Sequence, residues 1–183
     1  MQSLKTYTWH YTKDDLKFCP RCGAHLTLQK VESSPHEQLV CHACRFIFYL
    51  PPQLVVMAVV THAGRILLLR RAEPPGQGRW ALLAGFVDRN EDPGLALQRE
   101  AREETGLELS VDKIMKVNSF PAKGMVQLIF LATAHSDHLI LNDECLDGRF
   151  FTFADIPWDD LAFESTRQTL LEFGDANQQA HSG

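Results

Sequence analysis

Three glutamates near the middle of the chain have a spacing suited to holding a divalent metal ion. Glu100, Glu103 and Glu104 stand at i, i+3 and i+4, so a helix would project all three carboxylates from one face. Clustered carboxylates raise one another's pKa values, and a bound cation would offset their repulsion. Oxygen ligands in this number favour Mg²⁺ or Mn²⁺, and such sites commonly serve phosphate substrates. The three residues therefore predict metal-assisted chemistry at a phosphate group.

The residues around the glutamates predict the helix that the site requires. Asp92 and Pro93 form a start signal, because Asp caps free N–H groups and Pro is tolerated at the first helical position. Gly106 is placed to end the helix, since glycine accepts a left-handed backbone. Leu97 and Ala101 stand at i, i+4 and predict the buried stripe.

A short strand running into a turn is predicted just before this helix, over residues 80–86. Gly85 would let the backbone approach a ligand closely. The backbone carbonyl of Ala84 could complete a metal shell beside the glutamates.

The stretch 85–107 reads GFVDRNEDPGLALQREAREETGL and resembles the Nudix box, G-x5-E-x7-R-E-U-x-E-E-x-G-U, in which U is aliphatic. Ala101 and Leu107 occupy the aliphatic positions, and Ala101 is smaller than the usual residue there. The fixed positions of the pattern fall without gaps on Gly85, Glu91, Arg99, Glu100, Glu103, Glu104 and Gly106. The alternative, a solvated acidic helix face, does not require glycines and Glu91 in register.

The resemblance implies an α/β fold, a Nudix-type α/β/α sandwich with a mixed sheet, and an enzyme that hydrolyses phosphoanhydrides. Glu100, Glu103 and Glu104 would then be catalytic ligands of Mg²⁺ or Mn²⁺, with the Ala84 carbonyl as a further ligand. Arg99 would orient the glutamates. The metal would neutralise phosphate charge and activate water for attack on phosphorus.

The general base is left open between Glu100 and an acid from a later loop. Glu144 and Asp147 lie in such a predicted loop, residues 142–148, and Glu144 is also a candidate substrate contact. A solvated loop without a role is the alternative for both residues.

Four of the five cysteines follow the pattern C-x2-C-x18-C-x2-C, which is typical of zinc sites. Two tight turns would each aim two thiolates at one ion: Cys19, Cys22, Cys41 and Cys44. Disulfides are the alternative, but they need an oxidising compartment, and no secretory signal is recognised. The fifth cysteine, Cys145, is interpreted as an ordinary thiol. A small zinc ribbon is therefore predicted over 18–50, with structural Zn²⁺.

The predicted domain division is residues 1–50, a lead-in and zinc ribbon, and residues 51–183, the Nudix domain. The second domain is expected to end with an amphipathic helix over 164–173 that Gly174 stops.

A zinc ribbon followed by a Nudix domain is similar to two branches of the family. One is the NADH pyrophosphatase branch, which also acts on NAD-capped RNA and carries the motif S-Q-P-W-P-F-P. The comparable stretch here, Asn118–Gly124, keeps only a Ser and a Phe-Pro. The other branch cleaves FAD and ADP-ribose, and the chain is similar to it in length and in the stretch Asp155–Phe163.

Aromatic residues could stack an adenine or flavin ring, with core packing as the alternative for each. The candidates are Phe86, Phe120 and Phe163. Arginines near the loop 72–79 could meet phosphates or remain solvated. They are Arg70, Arg71 and Arg79.

Composition limits the other function classes. The 183 residues carry a net charge of −5, which argues against broad nucleic-acid binding. No apolar run long enough to span a membrane is found. We expect a cytoplasmic enzyme with a nucleotide substrate, and a homodimer on grounds of family resemblance. A sensor that binds such nucleotides without cleaving them is the remaining alternative.

Overall fold

The structure is a computed structural model that describes residues 12–180, with side chains described through residue 176. The chain divides into two compact units, one ending at Pro52 and the other beginning at Gln53. The first unit holds a three-stranded antiparallel sheet, whose strands are β1 (Leu26–Gln29), β2 (Gln38–Cys41) and β3 (Ile47–Phe48). Its buried core is small and includes Cys19 and Cys41. A core of this size gives little hydrophobic stabilisation, which favours a metal as a source of folding energy.

The second unit is built on a mixed seven-stranded sheet. Its strands are β4 (Gln53–His62), β5 (Arg65–Arg71), β6 (Trp80–Ala81), β7 (Leu83–Phe86), β8 (Leu109–Phe120), β9 (Met125–Ala134) and β10 (Cys145–Phe151). The strand order is β10-β5-β4-β9-β8, with β6 beside β5 and β7 beside β4. Only β4 and β9 run parallel; the other described pairs are antiparallel.

Two helices, α1 (Pro93–Thr105) and α2 (Glu164–Ala180), cover opposite faces of this sheet. Neighbouring residues on a strand point to opposite faces. Val56 accordingly packs with Leu97 of α1, whereas Met57 packs with Leu170 of α2. This arrangement confirms the predicted α/β/α sandwich with a mixed sheet. Within the described chain, neither helix has the length and apolarity needed to cross a membrane.

Helix α1 begins and ends where its sequence signals predict. The Asp92 carboxylate accepts hydrogen bonds from the N–H groups of Gly94 at 2.8 Å and Leu95 at 3.2 Å. Gly106 follows the helix with a left-handed φ of 70°. Leu97 and Ala101 are fully buried, so the acidic residues lie on the exposed side.

Three predicted details are wrong. Residues 80–86 form two short strands, because β6 pairs with β5 and β7 pairs with β4. Asp147 lies on β10 and not in a loop, since that strand begins at Cys145. Helix α2 continues past Gly174 to Ala180. Gly174 is buried against Phe153, so it provides room for a ring and does not stop the helix.

Candidate functional site

One guanidinium organises the acidic face of α1. Arg99 Nη1 donates to Glu100 Oε1 at 2.8 Å and to Glu103 Oε2 at 3.1 Å. Glu100 also lies directly against the backbone of Gly85 on β7. The space that the sequence suggested for a ligand beside Gly85 is therefore filled by the protein's own carboxylate.

The same arginine ties the helix to the loop before it. Arg99 donates from Nε and Nη2 to the two oxygens of Glu91, and from Nη2 to the carbonyl of Phe86 at 2.9 Å. The hydrogen bonds that Glu91 accepts from Arg99, with one from the backbone N–H of Asp88, lower the pKa of Glu91 to about 2. Glu91 is thus fixed as a charged group that positions Arg99.

Glu104 has the least compensated negative charge of the cluster. Its burial, and next the charge of Glu100, raise the pKa of Glu104 to about 8. The pKa of Glu100 is also raised, chiefly by burial, although Arg99 acts against the shift. Acidic residues whose ionised form is disfavoured by burial and by neighbouring negative charge are suited to binding a cation, because the cation stabilises that ionised form.

The later acid predicted from sequence reaches this cluster. The charge of Glu144 contributes, after burial and nearer charges, to raising the pKa values of both Glu100 and Glu104, so Glu144 lies close enough to act on them. Asp147 has a different partner, because its carboxylate pairs with Arg149 at 2.6 Å. Of the two acids in this segment, Glu144 is therefore the one that the fold brings to the site.

Arg71 lies near the acidic cluster, a position that the sequence did not distinguish from those of its neighbours. Its positive charge acts to lower the pKa of Glu104, and its guanidinium carbon lies 5.4 Å from the centre of the Phe163 ring. Arg79 instead faces Asp160, at 3.9 Å. No pattern along the chain separates these arginines, since only the pairing of β5 with β10 places Arg71 opposite Cys145 and near Glu144.

The carboxylates suit a hard cation by chemistry, although they do not yet converge. Within residues 12–176, the one set of metal-ligating side chains that gathers around a single point consists of cysteines. Arg99 Nη1 occupies one oxygen of Glu100 and one of Glu103, so in this structure these oxygens meet a guanidinium and not a metal ion. The Glu103 side chain is 56% exposed, so it has room to turn towards an ion shared with Glu104. Ala84 stands beside Gly85 on β7, opposite Met57.

The four cysteines of the first unit form a separate, preformed metal-binding group. Their sulfur atoms all lie within 4.8 Å of one another, with Cys19–Cys44 at 3.7 Å and Cys22–Cys41 at 3.5 Å. Tetrahedral zinc with Zn–S bonds of about 2.3 Å places its sulfurs about 3.8 Å apart, so the spacing fits zinc. All five cysteines of the chain are free of disulfides.

Hydrogen bonds prepare part of this group for thiolate chemistry. The backbone N–H of Cys44 donates to the Cys41 sulfur at 3.4 Å, and that bond lowers the pKa of Cys41 to about 6. The N–H of Ala24 acts in the same direction on Cys22, but hydrogen bonds with the other thiols raise the pKa of Cys22 to about 12. Four thiols sharing protons in this way are the donor set that a zinc ion replaces with metal bonds.

The three aromatic candidates, Phe86, Phe120 and Phe163, lie outside the core clusters of the described residues. Phe86 is 39% exposed, and Phe120 is half-buried; neither belongs to a core cluster of the described residues. Phe163 is half-buried as well, beneath Arg71. The Phe120 ring has Lys123 Nζ at 5.8 Å from its centre. A role for these rings in binding a ligand stays a prediction.

Comparison with known proteins agrees with this geometry. Residues 51–173 match the NUDIX domain family, and residues 17–50 match the Nudix N-terminal family, a zinc ribbon. The crystal structure of a NUDIX hydrolase from Nitrosomonas europaea superposes with a TM-score of 0.80 at 30% identity, covering 84% of this chain and 88% of that one.

Two curated relatives carry functional names. The ADP-ribose pyrophosphatase of Methanocaldococcus jannaschii is 30% identical over 124 residues, which cover 66% of this chain and 72% of the relative. The NAD-capped RNA hydrolase NudC of Vibrio vulnificus is 26% identical over 156 residues, covering 84% of this chain but 57% of the relative. The chain thus spans little more than half the length of this second relative.

The family match, the shared fold and the acidic helix agree with one another and confirm the resemblance found in the sequence. The chain belongs to the Nudix hydrolase family and carries the N-terminal zinc ribbon domain found with that family.

Proposed function

We propose that the protein hydrolyses the pyrophosphate bond of a nucleoside diphosphate linked to another moiety, with FAD or ADP-ribose as the substrate. The observation that carries the proposal is the acidic cluster on α1. Burial and neighbouring charges raise the pKa values of Glu100 and Glu104 there, so ionising these carboxyls costs free energy that a bound divalent cation would offset.

Glu100, Glu103 and Glu104, with the Ala84 carbonyl, would hold Mg²⁺ or Mn²⁺. The bound metal would supply charge neutralisation at the diphosphate and activation of the attacking water. Arg99 fixes the directions of Glu100 and Glu103 through its hydrogen bonds to both.

Four other residues of the chain act on the substrate in this proposal. Glu144, whose charge acts on the cluster, serves as a substrate contact or as a base, a role for which Glu100 is the second candidate. Arg71 provides positive charge next to Glu104, where a phosphate oxygen would accept its hydrogen bonds. Phe86 and Phe120 offer rings to a base or flavin.

The choice of FAD or ADP-ribose has support from the sequence and from one relative. The first curated relative named above is an ADP-ribose pyrophosphatase. The NADH and NAD-capped RNA alternative is supported by NudC, but the segment Asn118–Gly124 keeps only part of that branch's motif. A non-catalytic nucleotide sensor is a weaker alternative, because the full set of box glutamates is present.

The remaining expectations belong to the same proposal. Residues 1–50 form a ribbon module around structural Zn²⁺, and residues 51–183 form the catalytic domain. The protein acts in the cytoplasm as a homodimer on small nucleotides, without a nucleic-acid partner. The low positive charge of the ribbon supports the absence of a nucleic-acid partner. The cations Arg21, Lys30 and Arg45 are partly offset there by the acids Glu32 and Glu37.

A substrate panel with products identified by mass tests the proposal. The panel contains FAD, ADP-ribose, NADH, NAD-capped RNA, diadenosine polyphosphates, CoA and nucleoside triphosphates, each with Mg²⁺ or Mn²⁺. We expect AMP from FAD or ADP-ribose at the highest kcat/KM. Preference for NAD-capped RNA would favour the NudC-like alternative, and tight binding of ADP-ribose without any turnover would favour the sensor.

A further inference from the structure

A patch of the sheet on the side of α2 combines aromatic rings with a buried amide. We call Val55, Phe86, Phe120, Met125 and Gln127 the aromatic shelf. Val55 stands opposite Phe86 on one side and opposite Gln127 on the other, while Phe120 stands opposite Met125. Residues directly opposite share a face, as do residues two apart on one strand. All five side chains therefore lie on one face.

That face is the one covered by α2 further along the strands. Ala84, two residues before Phe86, and Ile129, two residues after Gln127, both pack in the core cluster that contains Leu170 of α2. Lys116 on β8 reaches Glu172 of α2 with an ion pair of 2.6 Å. The shelf continues this face past these contacts, towards the ends of β7 and β8.

The side-chain amide of Gln127, which belongs to this shelf, is only partly hydrogen-bonded by the described residues. The residue is only 7% exposed, and its buried Oε1 atom has no hydrogen-bond partner among the described residues. Its Nε2 donates to the Met57 sulfur at 3.6 Å, and a thioether is a weak acceptor. Buried amides are normally fully paired, so an amide left in this state points to a partner that arrives with a ligand.

We propose that Gln127 selects adenine as the base of the substrate. The amide would accept a hydrogen bond at Oε1 from the N6 amino group and donate one from Nε2 to a ring nitrogen, the pairing that glutamine makes with adenine in nucleic-acid recognition. The rings of Phe86 and Phe120 would turn aside to admit the base and then stack on it. This inference rests on the proposed function, since it assigns the base half of the same substrate.

The dimensions and connections of the shelf support this assignment. Phe86 and Gln127 are separated by β4, a distance of about 10 Å across the sheet, which suits a purine lying over Val55. The Phe86 carbonyl accepts a hydrogen bond from Arg99, which also holds Glu100. Gly85, which contacts Glu100, and Phe86 are neighbours on β7 whose side chains point to opposite faces of the sheet. A substrate with its base on the shelf and its diphosphate at the glutamates would therefore pass around the edge of the sheet at β7, which pairs with β4.

Met57 gives the amide a preferred direction. Because Nε2 donates to the sulfur, Oε1 is the atom left to meet the base. Adenine presents a donor there, whereas hypoxanthine and guanine present the acceptor O6. Turning the amide over would place Oε1 against the Met57 sulfur and lose that hydrogen bond. The arrangement therefore discriminates against 6-oxo purines.

Binding of AMP and IMP, measured by calorimetry without metal, tests the proposal separately from catalysis. We expect the wild-type protein to bind AMP about tenfold or more tightly than IMP, the scale of one good base contact. Gln127→Leu, which keeps the volume, should bring the two affinities within about twofold of each other. Met57→Leu frees the amide to turn over and should reduce the preference while leaving Gln127 in place.

Equal binding of AMP and IMP by the wild-type protein would overturn the proposal and leave a buried water as the partner of Gln127. A preference that survives in Gln127→Leu would overturn it as well. If Gln127→Leu does not fold, as judged by circular dichroism, an undiminished preference in Met57→Leu decides against the proposal. If instead the proposed hydrolytic function is wrong and the adenine assignment is right, the protein would keep its preference for AMP over IMP but would hydrolyse no diphosphate.

Discussion

Gly85 and Glu100 share a volume that has room for only one side chain. A Cβ atom added to Gly85 would lie 2.0 Å from Cδ of Glu100 and 2.3 Å from its Oε1. The absence of a side chain on β7 thus lets a carboxylate of α1 lie flat against the strand. The first glycine of the box serves the first glutamate of the cluster.

Gly85→Ala should displace Glu100 and lower kcat by about tenfold or more, because a small misplacement of a catalytic group is costly. Overpacking should also cost about 1–3 kcal/mol of unfolding free energy. Steady-state kinetics with Mg²⁺ and urea unfolding measure the two effects. Gly64→Ala is the control, since its φ of 73° strains any alanine in a turn without glutamate contacts. Normal turnover in Gly85→Ala would refute this account of the glycine.

Glu91→Gln should destabilise the protein at neutral pH and remove part of its acid sensitivity. The folded protein lowers the pKa of Glu91 from its ordinary 4.5 to about 2. For a lowered pKa, the stabilisation is complete above pH 4.5 and is lost as the pH falls through about 2. The difference in unfolding free energy between wild type and variant should therefore shrink across that window. Urea unfolding from pH 7 to pH 2 measures it.

Glu108→Gln is the matched control for this experiment. Glu108 pairs with Arg102 at 2.8 Å, but both side chains are at least half exposed. Exposed pairs of this kind contribute about 0–1 kcal/mol, so the control should stay close to wild type. A pH-independent difference for Glu91→Gln would show that the pair with Arg99 does not stabilise the fold as the geometry indicates.

The cysteine group should hold one zinc ion per chain. Replacing Cys19 and Cys41 together by Ser should abolish zinc binding, because both sulfurs belong to the four that converge. Elemental analysis of protein purified without chelator measures the content. Cys145→Ser should keep the zinc, since that thiol lies on β10 in the other unit. Zinc-free wild-type protein would contradict the ribbon assignment.

Local signals sufficed to predict much of the fold. Asp92, Pro93 and Gly106 each act within one helical turn, so the sequence places both ends of α1. The same holds for the cysteine pairs, because each pair lies within a tight turn. Gly174 shows the limit of such signals. A glycine that could end a helix instead accommodates Phe153, a contact that only the assembled sheet and helix create.

The site was predictable where its residues belong to one segment and not where the fold joins distant ones. Glu100, Glu103 and Glu104 follow from helical spacing. Arg71 and Gln127 were not distinguished, because the positions on which their proposed roles rest depend on strand pairing: β5 with β10 for Arg71, and β9 with β4 for Gln127. Sequence periodicity indicates which residues alternate on a strand but not which strand lies beside it.

The most direct test of the central claim is turnover of ADP-ribose or FAD in Mg²⁺ by Glu103→Gln and Glu104→Gln. Each substitution keeps the shape and removes the charge that would hold the cation. We expect both variants to fold as the wild type does and to lose at least about tenfold in kcat. Glu108→Gln, which lies off the acidic cluster, should keep its activity. Near-normal turnover in both cluster variants would contradict the assignment of this helix face as the metal site.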